Sequence, residues 1–200
     1  LSCNDFSVML QKYTAGTFIL DYLGDKRNIH VNISSNIEKV NLKPIYEIND
    51  APSCDLVRYM VNLKATQAFA RNESEMGRAN EIETWFQRFE NILRTVYDDN
   101  SLKLNFNIEN FQFTISMNGR EPFDFNTMSM GYAAVFDIIG DLIMRMESQH
   151  RYDLEGIVLI DEIETHLHVG LQKQIVPILT ELFPNIQFIM TTHSPFVLNS

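Results

Sequence analysis

Two adjacent carboxylates, Asp161 and Glu162, directly follow the apolar run 157–160. A continuous apolar run is typical of a parallel-sheet strand that is buried on both faces, and open α/β sheets bind ligands at the carboxyl ends of such strands. Because side chains alternate along a strand, the two carboxylates point in different directions. One can therefore hold Mg²⁺, directly or through water, while the other orients or deprotonates an attacking water. A solvated strand end without a function explains the same two residues.

A histidine follows a second strand-like run. The run is 186–190, and the sequence Thr-Thr-His-Ser-Pro comes directly after it at 191–195. His193 stands where an imidazole can donate to a phosphate, although a lone loop histidine is more often an ordinary hydrogen-bonding residue. If both strands belong to one parallel sheet, their ends bring His193 close to Asp161 and Glu162.

A third candidate segment is the start of an amphipathic helix at Ser129 and Gly131. A serine N-cap beside a glycine leaves backbone N–H groups and the positive helix end open to an anion, and an ordinary N-cap has the same sequence. The intervals 129–161 and 161–193 each have room for one helix and one strand. The three segments are therefore spaced as the ligand-binding edge of one α/β sheet requires.

The elements that position these residues follow from hydrophobic periodicity. The C-terminal part predicts a helix at 129–147, a strand at 156–160, a helix at 170–183 that Pro177 kinks or delays, and a strand at 186–190. This alternation favours an α/β fold with a parallel core.

Upstream, the period of the apolar residues changes twice. The first predicted elements are short β segments over 17–48, in which Ile29, Val31 and Ile33 alternate with polar residues. Helices joined by a polar linker are predicted at 55–71 and 81–97. Half-buried strands at 102–106 and 111–115 and a tight turn at Asn118-Gly119 follow. The helix pair is predicted to form a helical hairpin or lateral arm, and its aromatic stripe is predicted to pack in the core.

Composition excludes several classes of protein. The formal charge of −10 argues against a protein whose whole surface binds nucleic acid, although a local basic patch is compatible with this charge. With 45% apolar residues the chain can bury a core. It has no apolar run near the roughly 18 residues of a membrane span and no secretory signal at its start. Cys3 and Cys54 make no disulfide framework, so we expect free thiols and a cytoplasmic protein.

Together, the motifs of residues 126–200 resemble those of ATP-binding cassette ATPases in the SMC/RecF-like and overcoming-lysogenization-defect-like branch. The sequence is similar to bacterial ATPases of anti-phage systems such as Septu and some retrons. The matching positions are the L-S-x-G signature at 128–131, Walker B at 157–161, the catalytic glutamate at Glu162, the switch histidine at His193, and the pattern D-E-x-E-x-x-L-H-P-x-x-Q from Asp161 to Gln172.

The resemblance implies a P-loop NTPase fold: a partial parallel sheet of an ABC-type ATPase head with flanking helices, plus an inserted helical arm. The domains that it implies are a β-rich part of the head at 1–50, the helical arm at 51–100, and the signature, Walker B and switch-histidine lobe at 101–200.

The resemblance also implies an ATPase that uses ATP and Mg²⁺ in a head-to-tail homodimer. Asp161 would hold Mg²⁺ through water, Glu162 would position the attacking water, and His193 would contact the γ-phosphate. Ser129 and Gly131 of the opposite subunit would clamp that phosphate. An effector nuclease and DNA are further candidate partners, and no membrane is expected.

The sequence departs from the family pattern at three points. Met128 replaces the usual Leu, a volume-conserving change, and Val169 stands in place of the usual Pro. The third departure is larger, because the phosphate-cradling pattern G-x-x-x-x-G-K-[ST] does not occur in the sequence. We therefore expect this chain to be the C-terminal lobe of a longer or split ATPase.

Two alternatives of other classes stay open at this point. One is an interaction module, a degenerate ATPase lobe that dimerises or recruits an effector; the missing phosphate loop favours it, whereas Glu162 and His193 disfavour it. The other is a zinc hydrolase that uses His166 and His168 with Glu162, Glu164 or His193. Residues i and i+2 of a helix point apart, which disfavours the zinc site.

Overall fold

The computed structural model of the protein describes residues 3–25 and 36–200. In chain order, the elements are α1 (Cys3–Thr14), β1 (Phe18–Leu23), a 3₁₀ turn (Pro52–Asp55), α2 (Leu56–Asn72), α3 (Met76–Tyr97), β2 (Lys103–Asn107), β3 (Gln112–Met117), β4 (Arg120–Asp124), α4 (Met130–Glu147), β5 (Glu155–Ile160), α5 (Val169–Leu182), β6 (Ile186–Met190) and α6 (Pro195–Leu198).

The elements divide into two units. The parallel-sheet unit comprises Leu1–Ile29, Leu42–Ser53 and Met130–Ser200. The antiparallel-sheet unit comprises His30–Asn41 and Cys54–Ser129.

The parallel-sheet unit is built on three parallel strands in the order β1-β5-β6. Strand β5 lies in the middle, and the register pairs Val158 with Asp21 on one side and with Phe188 on the other. Val158 and Ile160 are 0% and 1% exposed. The predicted α/β fold with a parallel core is thus confirmed, but the expectation that β5 is buried on both faces is wrong, because Ile157 is half-buried and Leu159 is exposed.

Helix α4 supplies much of the core of the parallel-sheet unit. A helix that is apolar on all sides is a buried one, and almost every residue of α4 is buried. The fully buried aliphatic residues of α4 are Ala134, Val135, Ile138, Ile139 and Leu142. The predicted helix at 129–147 is confirmed to within one residue.

A buried charge cluster joins α4 to β1 and to the segment 46–50. The Arg145 guanidinium donates to Asp21 Oδ1 at 2.6 Å and to Asp141 Oδ1 at 2.5 Å. It also donates to the main-chain carbonyls of Glu47 at 3.1 Å and Asp50 at 2.9 Å. Burial raises the pKa of Asp141 well above its ordinary value and the neighbouring Asp21 carboxylate adds to that rise, while Arg145 opposes it. Burial likewise raises the pKa of Asp21 against the influence of Arg145.

The antiparallel-sheet unit combines a helical hairpin, α2 and α3, with the meander β2-β3-β4. Trp85 of α3 stacks on Phe89 at 5.3 Å between ring centroids, and Phe86 stacks on Phe113 of β3 at 5.8 Å. The predicted hairpin and alternating strands are confirmed, and the aromatic stripe is core. Helix α3 begins at Met76, five residues earlier than the periodicity predicts.

The prediction of short β segments over 17–48 is right only for β1 among the described residues. Ile29, Val31 and Ile33 lie outside those residues, and 36–50 contains no strand. Carbonyl groups of 46–50 accept other hydrogen bonds. The Ile48 carbonyl accepts from the Tyr22 N–H at 3.2 Å, and the carbonyls of Glu47 and Asp50 accept from Arg145. Within the described residues 36–50, a buried arginine thus binds main-chain carbonyls where the prediction had β segments.

Helices α1 and α5 differ from the sequence-based expectations. Helix α1 is not predicted by the periodicity analysis, and it exposes Phe6 and Leu10. Pro177 lies inside α5, which begins at Val169, so a late helix start at Pro177 is wrong. In the described part of the chain, no helix combines the length and apolar character that crossing a bilayer requires.

Candidate active site

The segments that follow β5 and β6 stay paired beyond the ends of the two strands. The Thr191 N–H donates to the Ile160 carbonyl at 3.0 Å, and the Ile163 N–H donates to the Thr191 carbonyl at 3.1 Å. On the other side of β5, the Asp161 N–H donates to the Leu23 carbonyl at 2.8 Å. The carboxylate pair and the histidine loop are therefore neighbours at the carboxyl edge of the sheet, as the spacing of the motifs predicts.

The Thr191 hydroxyl bridges the two candidate carboxylate residues. It donates to Asp161 Oδ1 at 2.5 Å and accepts from the Glu162 N–H at 2.8 Å. Glu162 has a φ of +45°, a left-handed conformation that costs a non-glycine residue about 1–3 kcal/mol unless the surroundings impose it. Thr165 adds to that restraint, because its N–H donates to the Glu162 carbonyl at 2.9 Å.

Glu164 connects this turn to the loop of His193. Its Oε2 accepts from the Thr192 hydroxyl at 2.6 Å and its Oε1 accepts from the His193 N–H at 2.5 Å. Partial burial works to raise the pKa of Glu164, but these two hydrogen bonds outweigh it and hold that pKa below its ordinary value. The His193 side chain is exposed at the surface.

Gln172 of α5 makes a further connection to the same loop. Its Oε1 accepts from the Ser194 hydroxyl at 2.7 Å, and its Nε2 donates to the Leu167 carbonyl at 2.7 Å. The buried Ser194 hydroxyl also accepts from the Phe196 N–H at 3.1 Å and so caps α6. The loop 191–194 is thus attached to residues 161–172 by side chains as well as by the sheet ladder.

The signature residues divide between the two units. Gly131 is buried in the parallel-sheet unit, where a Cβ on it would lie 3.1 Å from the His166 carbonyl oxygen and 3.4 Å from Leu171 Cδ1. The close approach of α4 to the segment after β5 therefore favours a glycine here, because a Cβ would have to displace the neighbouring main chain by a few tenths of an ångström. Ser129 is exposed and belongs to the antiparallel-sheet unit.

His166 and His168, the two histidines after Glu164, lie in the segment that leads into α5. His168 Nδ1 accepts from the Leu171 N–H at 3.3 Å as the N-cap of α5, and its ring packs edge-on against Tyr132 with centroids 5.9 Å apart. His166 is exposed and has a φ of +69°. Within the described ranges, no three histidine, cysteine or acidic side chains are placed to hold a metal, so the zinc-hydrolase alternative lacks a site.

Sequence reasoning singled out Asp161, Glu162 and His193 but missed the roles of Thr191 and Glu164. Thr191 stands in the Thr-Thr-His run, but a threonine near a strand end is common and its type does not reveal its partners. Glu164 stands in the quoted pattern, yet its two donors come from residues 192 and 193, which only the sheet brings near.

Comparison with known families shows which family the chain belongs to. Residues 11–199 match the family described as "AAA domain, putative AbiEii toxin, Type IV TA system". The chain belongs to this AAA-domain family. That membership confirms the predicted P-loop NTPase class, and the parallel sheet accords with it.

Curated relatives of this AAA-domain chain include a Septu protein and a probable retron ATPase. It is 47% identical over 72 residues to the Septu protein PtuA of Bacillus mycoides (strain KBAB4), across 36% of this chain and 10% of that protein. It is 37% identical over 116 residues to "Retron Vc95 probable ATPase" of Vibrio cholerae serotype O1 biovar El Tor, across 56% of this chain and 22% of that protein. These relatives confirm the resemblance read from the motifs, and the chain spans under a quarter of their length.

Among solved structures, the AAA-domain chain is similar to an SMC head bound to the C-terminal winged-helix domain of ScpA. The identity is 17% and the TM-score is 0.45, over 73% of this chain and 48% of that chain.

The residues at the carboxyl edge of the sheet fit a magnesium nucleotide. Oxygen ligands are what Mg²⁺ prefers, and it ordinarily keeps several waters while binding one or two carboxylates. Asp161 offers a half-buried carboxylate whose orientation Thr191 restrains, with Glu162 and the His193 loop beside it. Such a donor set is suited to Mg²⁺ and phosphate rather than to a zinc ion held by nitrogen and sulfur.

Proposed function

We propose that this chain is the signature, Walker B and switch-histidine lobe of an ATPase that converts ATP and water to ADP and phosphate. The observation that carries the proposal is the hydrogen-bonded junction of the Asp161-Glu162 turn with the loop of His193 at two adjacent strand ends. The ATPase acts in the bacterial cytoplasm and powers or gates an anti-phage defence or DNA-processing complex. Its relatives in Septu and retron systems support that setting.

Each residue has a defined task in the proposed reaction. Asp161 would hold Mg²⁺ through water, and the ion would supply charge neutralisation at the phosphates. Glu162 orients and activates the attacking water. His193 donates a hydrogen bond to the γ-phosphate from the neighbouring strand end. Phosphoryl transfer of this kind needs positioning and charge stabilisation rather than a covalent intermediate.

A second copy of the chain completes the proposed site. The exposed Ser129 of that copy would clamp the γ-phosphate, while the buried Gly131 would allow close packing at the start of α4, so that ATP joins the two copies and hydrolysis releases them. A helix N-terminus offers N–H groups and a positive dipole end to a phosphate. Release of the dimer would be the signal that an effector nuclease or bound DNA receives.

The phosphate loop is supplied by a segment outside the 200 residues of this chain. The sequence lacks G-x-x-x-x-G-K-[ST], and one face of the parallel sheet exposes Tyr22, Leu159 and Ile189 by 44%, 36% and 50%. Parallel sheets ordinarily have both faces covered. In the described part of the chain, β6 is also an edge strand. Both features support a further lobe of the ATPase that packs here.

The mass of the polypeptide expressed from its native gene tests where that lobe resides. A mass well above the 23.2 kDa of this chain places the phosphate loop in the same molecule. A mass of 23.2 kDa favours a split ATPase or the second candidate function, an interaction module. The absent phosphate-loop pattern is the observation that favours the module, and an intact protein that fails to bind ATP at equilibrium would establish it.

Glu162→Gln in the intact protein tests the catalytic assignment. Loss of a general base costs about 10²- to 10⁴-fold in turnover, whereas the dissociation constant for ATP should stay near the wild-type value. The matched control is Glu181→Gln, the same change at an exposed position of α5, which should leave turnover unchanged. Wild-type turnover in Glu162→Gln would overturn the assignment.

A further inference from the structure

The loop that carries His193 has no regular structure of its own. It follows the last residue of β6, and the short helix α6 begins only at Pro195. A group that contacts a reacting phosphate must be held to within a fraction of an ångström, since small displacements cost large factors in rate. The exposed position of the imidazole means that the main chain of the loop must supply this precision.

One carboxylate organises three successive residues of that loop. The two oxygens of Glu164 accept from the Thr192 hydroxyl and the His193 N–H at 2.6 and 2.5 Å. The Thr192 hydroxyl in turn accepts from the Ser194 N–H at 3.0 Å. A carboxylate accepts at both oxygens at once, and hydrogen bonds to an ionised group are roughly twice as strong as neutral ones.

Glu164 is itself held in place by its neighbours on the chain. Ile163 and Leu167, on either side of it, are buried at 0% and 6% exposure. The Ile163 N–H bonds to the Thr191 carbonyl, and the Leu167 N–H bonds to the Glu164 carbonyl at 2.8 Å. Glu164 follows Glu162 by two residues, so a single short segment sets both the water-activating carboxylate and the main chain of His193.

We propose that Glu164 is a positioning residue that places the His193 imidazole relative to Glu162, through hydrogen bonds to the Thr192 side chain and the His193 main chain. The inference rests on the proposed ATPase function. Glu164 contacts neither the nucleotide nor the water in this arrangement. Its effect on the reaction therefore passes through His193.

The test uses Glu164→Gln in the intact protein, with Glu181→Gln as the matched control. A glutamine side chain keeps one oxygen for the His193 N–H but turns its NH₂ group toward the Thr192 hydroxyl, so the hydroxyl must reverse its bond and both charge-assisted hydrogen bonds are lost. We expect turnover to fall about 10- to 100-fold, while the dissociation constant for ATP changes by less than about threefold.

A double-mutant cycle with His193→Ala separates positioning from a merely structural role. If Glu164 acts through His193, Glu164→Gln should lower turnover no further in the His193→Ala background. An equal loss in both backgrounds would show that Glu164 acts by another route and would overturn the inference. Wild-type turnover in Glu164→Gln would do the same.

Two further measurements keep this inference apart from the proposed function. Thr192→Val removes one of the two donors and leaves the carboxylate, so it should give an intermediate loss even if Glu164→Gln does not fold; turnover at the wild-type level would contradict the positioning role. If Glu162→Gln and His193→Ala both retain full turnover, the proposed function itself fails. If those two lose turnover and Glu164→Gln does not, only the positioning role fails.

Discussion

Arg145→Met should destabilise the parallel-sheet unit by about 3–5 kcal/mol at neutral pH, because it removes one partner from a buried ionic cluster. The side chain of Arg145 is 4% exposed, and those of Asp21 and Asp141 are 0% and 1% exposed. Methionine fills similar volume, so the loss reflects charge and hydrogen bonding rather than a cavity.

The magnitude follows from what the substitution leaves behind. Two buried carboxyl groups and the main-chain carbonyls of Glu47 and Asp50 lose the arginine as a donor, although Asp21 keeps the Tyr22 N–H and the Glu47 carbonyl keeps the Asp50 N–H. Each buried polar group without a partner costs about 1–3 kcal/mol. In the described part of the chain, the second oxygen of Asp21 and that of Asp141 already have no hydrogen-bond partner. Protonation of these carboxyls offsets part of the cost, which keeps the total near the stated range.

The loss should depend on pH with a definite sign. The pKa values of Asp21 and Asp141 are raised in the folded protein, so their protonated forms stabilise the fold at low pH and that contribution disappears as the pH rises through the folded pKa. Arg145 lowers both pKa values, and its removal lets them rise further. The destabilisation should therefore be larger at about pH 8 than at about pH 5.

Hydrogen exchange measured by mass spectrometry on peptides of β1 and α4 gives the local free energy of opening in the intact protein, once intrinsic exchange rates are corrected for pH. The matched control is Arg151→Met. Arg151 is 51% exposed and pairs with an exposed Asp153, so its replacement should cost no more than about 1 kcal/mol. If Arg145→Met costs as little as Arg151→Met, or costs more at pH 5 than at pH 8, the reasoning is refuted.

Three further substitutions test other parts of the structure. Gly156→Ala should destabilise β5 by about 1–3 kcal/mol, because the new Cβ would lie 2.7 Å from the Ile19 carbonyl oxygen; unchanged exchange protection of β5 would contradict this. Leu93→Ala, at a 0% exposed position of α3, should cost about 2–5 kcal/mol in exchange measurements on α3, whereas Ile108→Ala, at a 75% exposed position, should cost less than about 0.5 kcal/mol. Thr191→Val should lower ATP turnover about 10- to 100-fold by removing the hydroxyl that bridges the two carboxylate residues, and Thr191→Ser should preserve turnover; equal turnover in the two variants would exclude the bridging role.

Local patterns in the sequence determined the elements and the order of the motifs. The apolar run before Asp161 predicted β5, and the helical and strand periods predicted α2, α4, α5, β2, β3 and β6 to within a few residues. They also predicted α3 except for its start, whereas α6 was not predicted. Such patterns reflect burial of one face or of both, which neighbouring residues along the chain record directly. The alternation of helix and strand was enough to place Asp161, Glu162 and His193 at one edge of a parallel sheet.

Tertiary structure alone decided how those residues are held. Glu164 binds the main chain of His193, and Arg145 binds Asp21 and the carbonyls of residues 46–50. These partners are far apart in the sequence, and hydrogen bonds between distant residues leave no periodic trace in it. For the same reason, the prediction of β segments over 17–48 did not reveal that an arginine side chain binds the carbonyls of Glu47 and Asp50. Periodicity records burial, whereas the folded chain decides which partner satisfies each buried polar group.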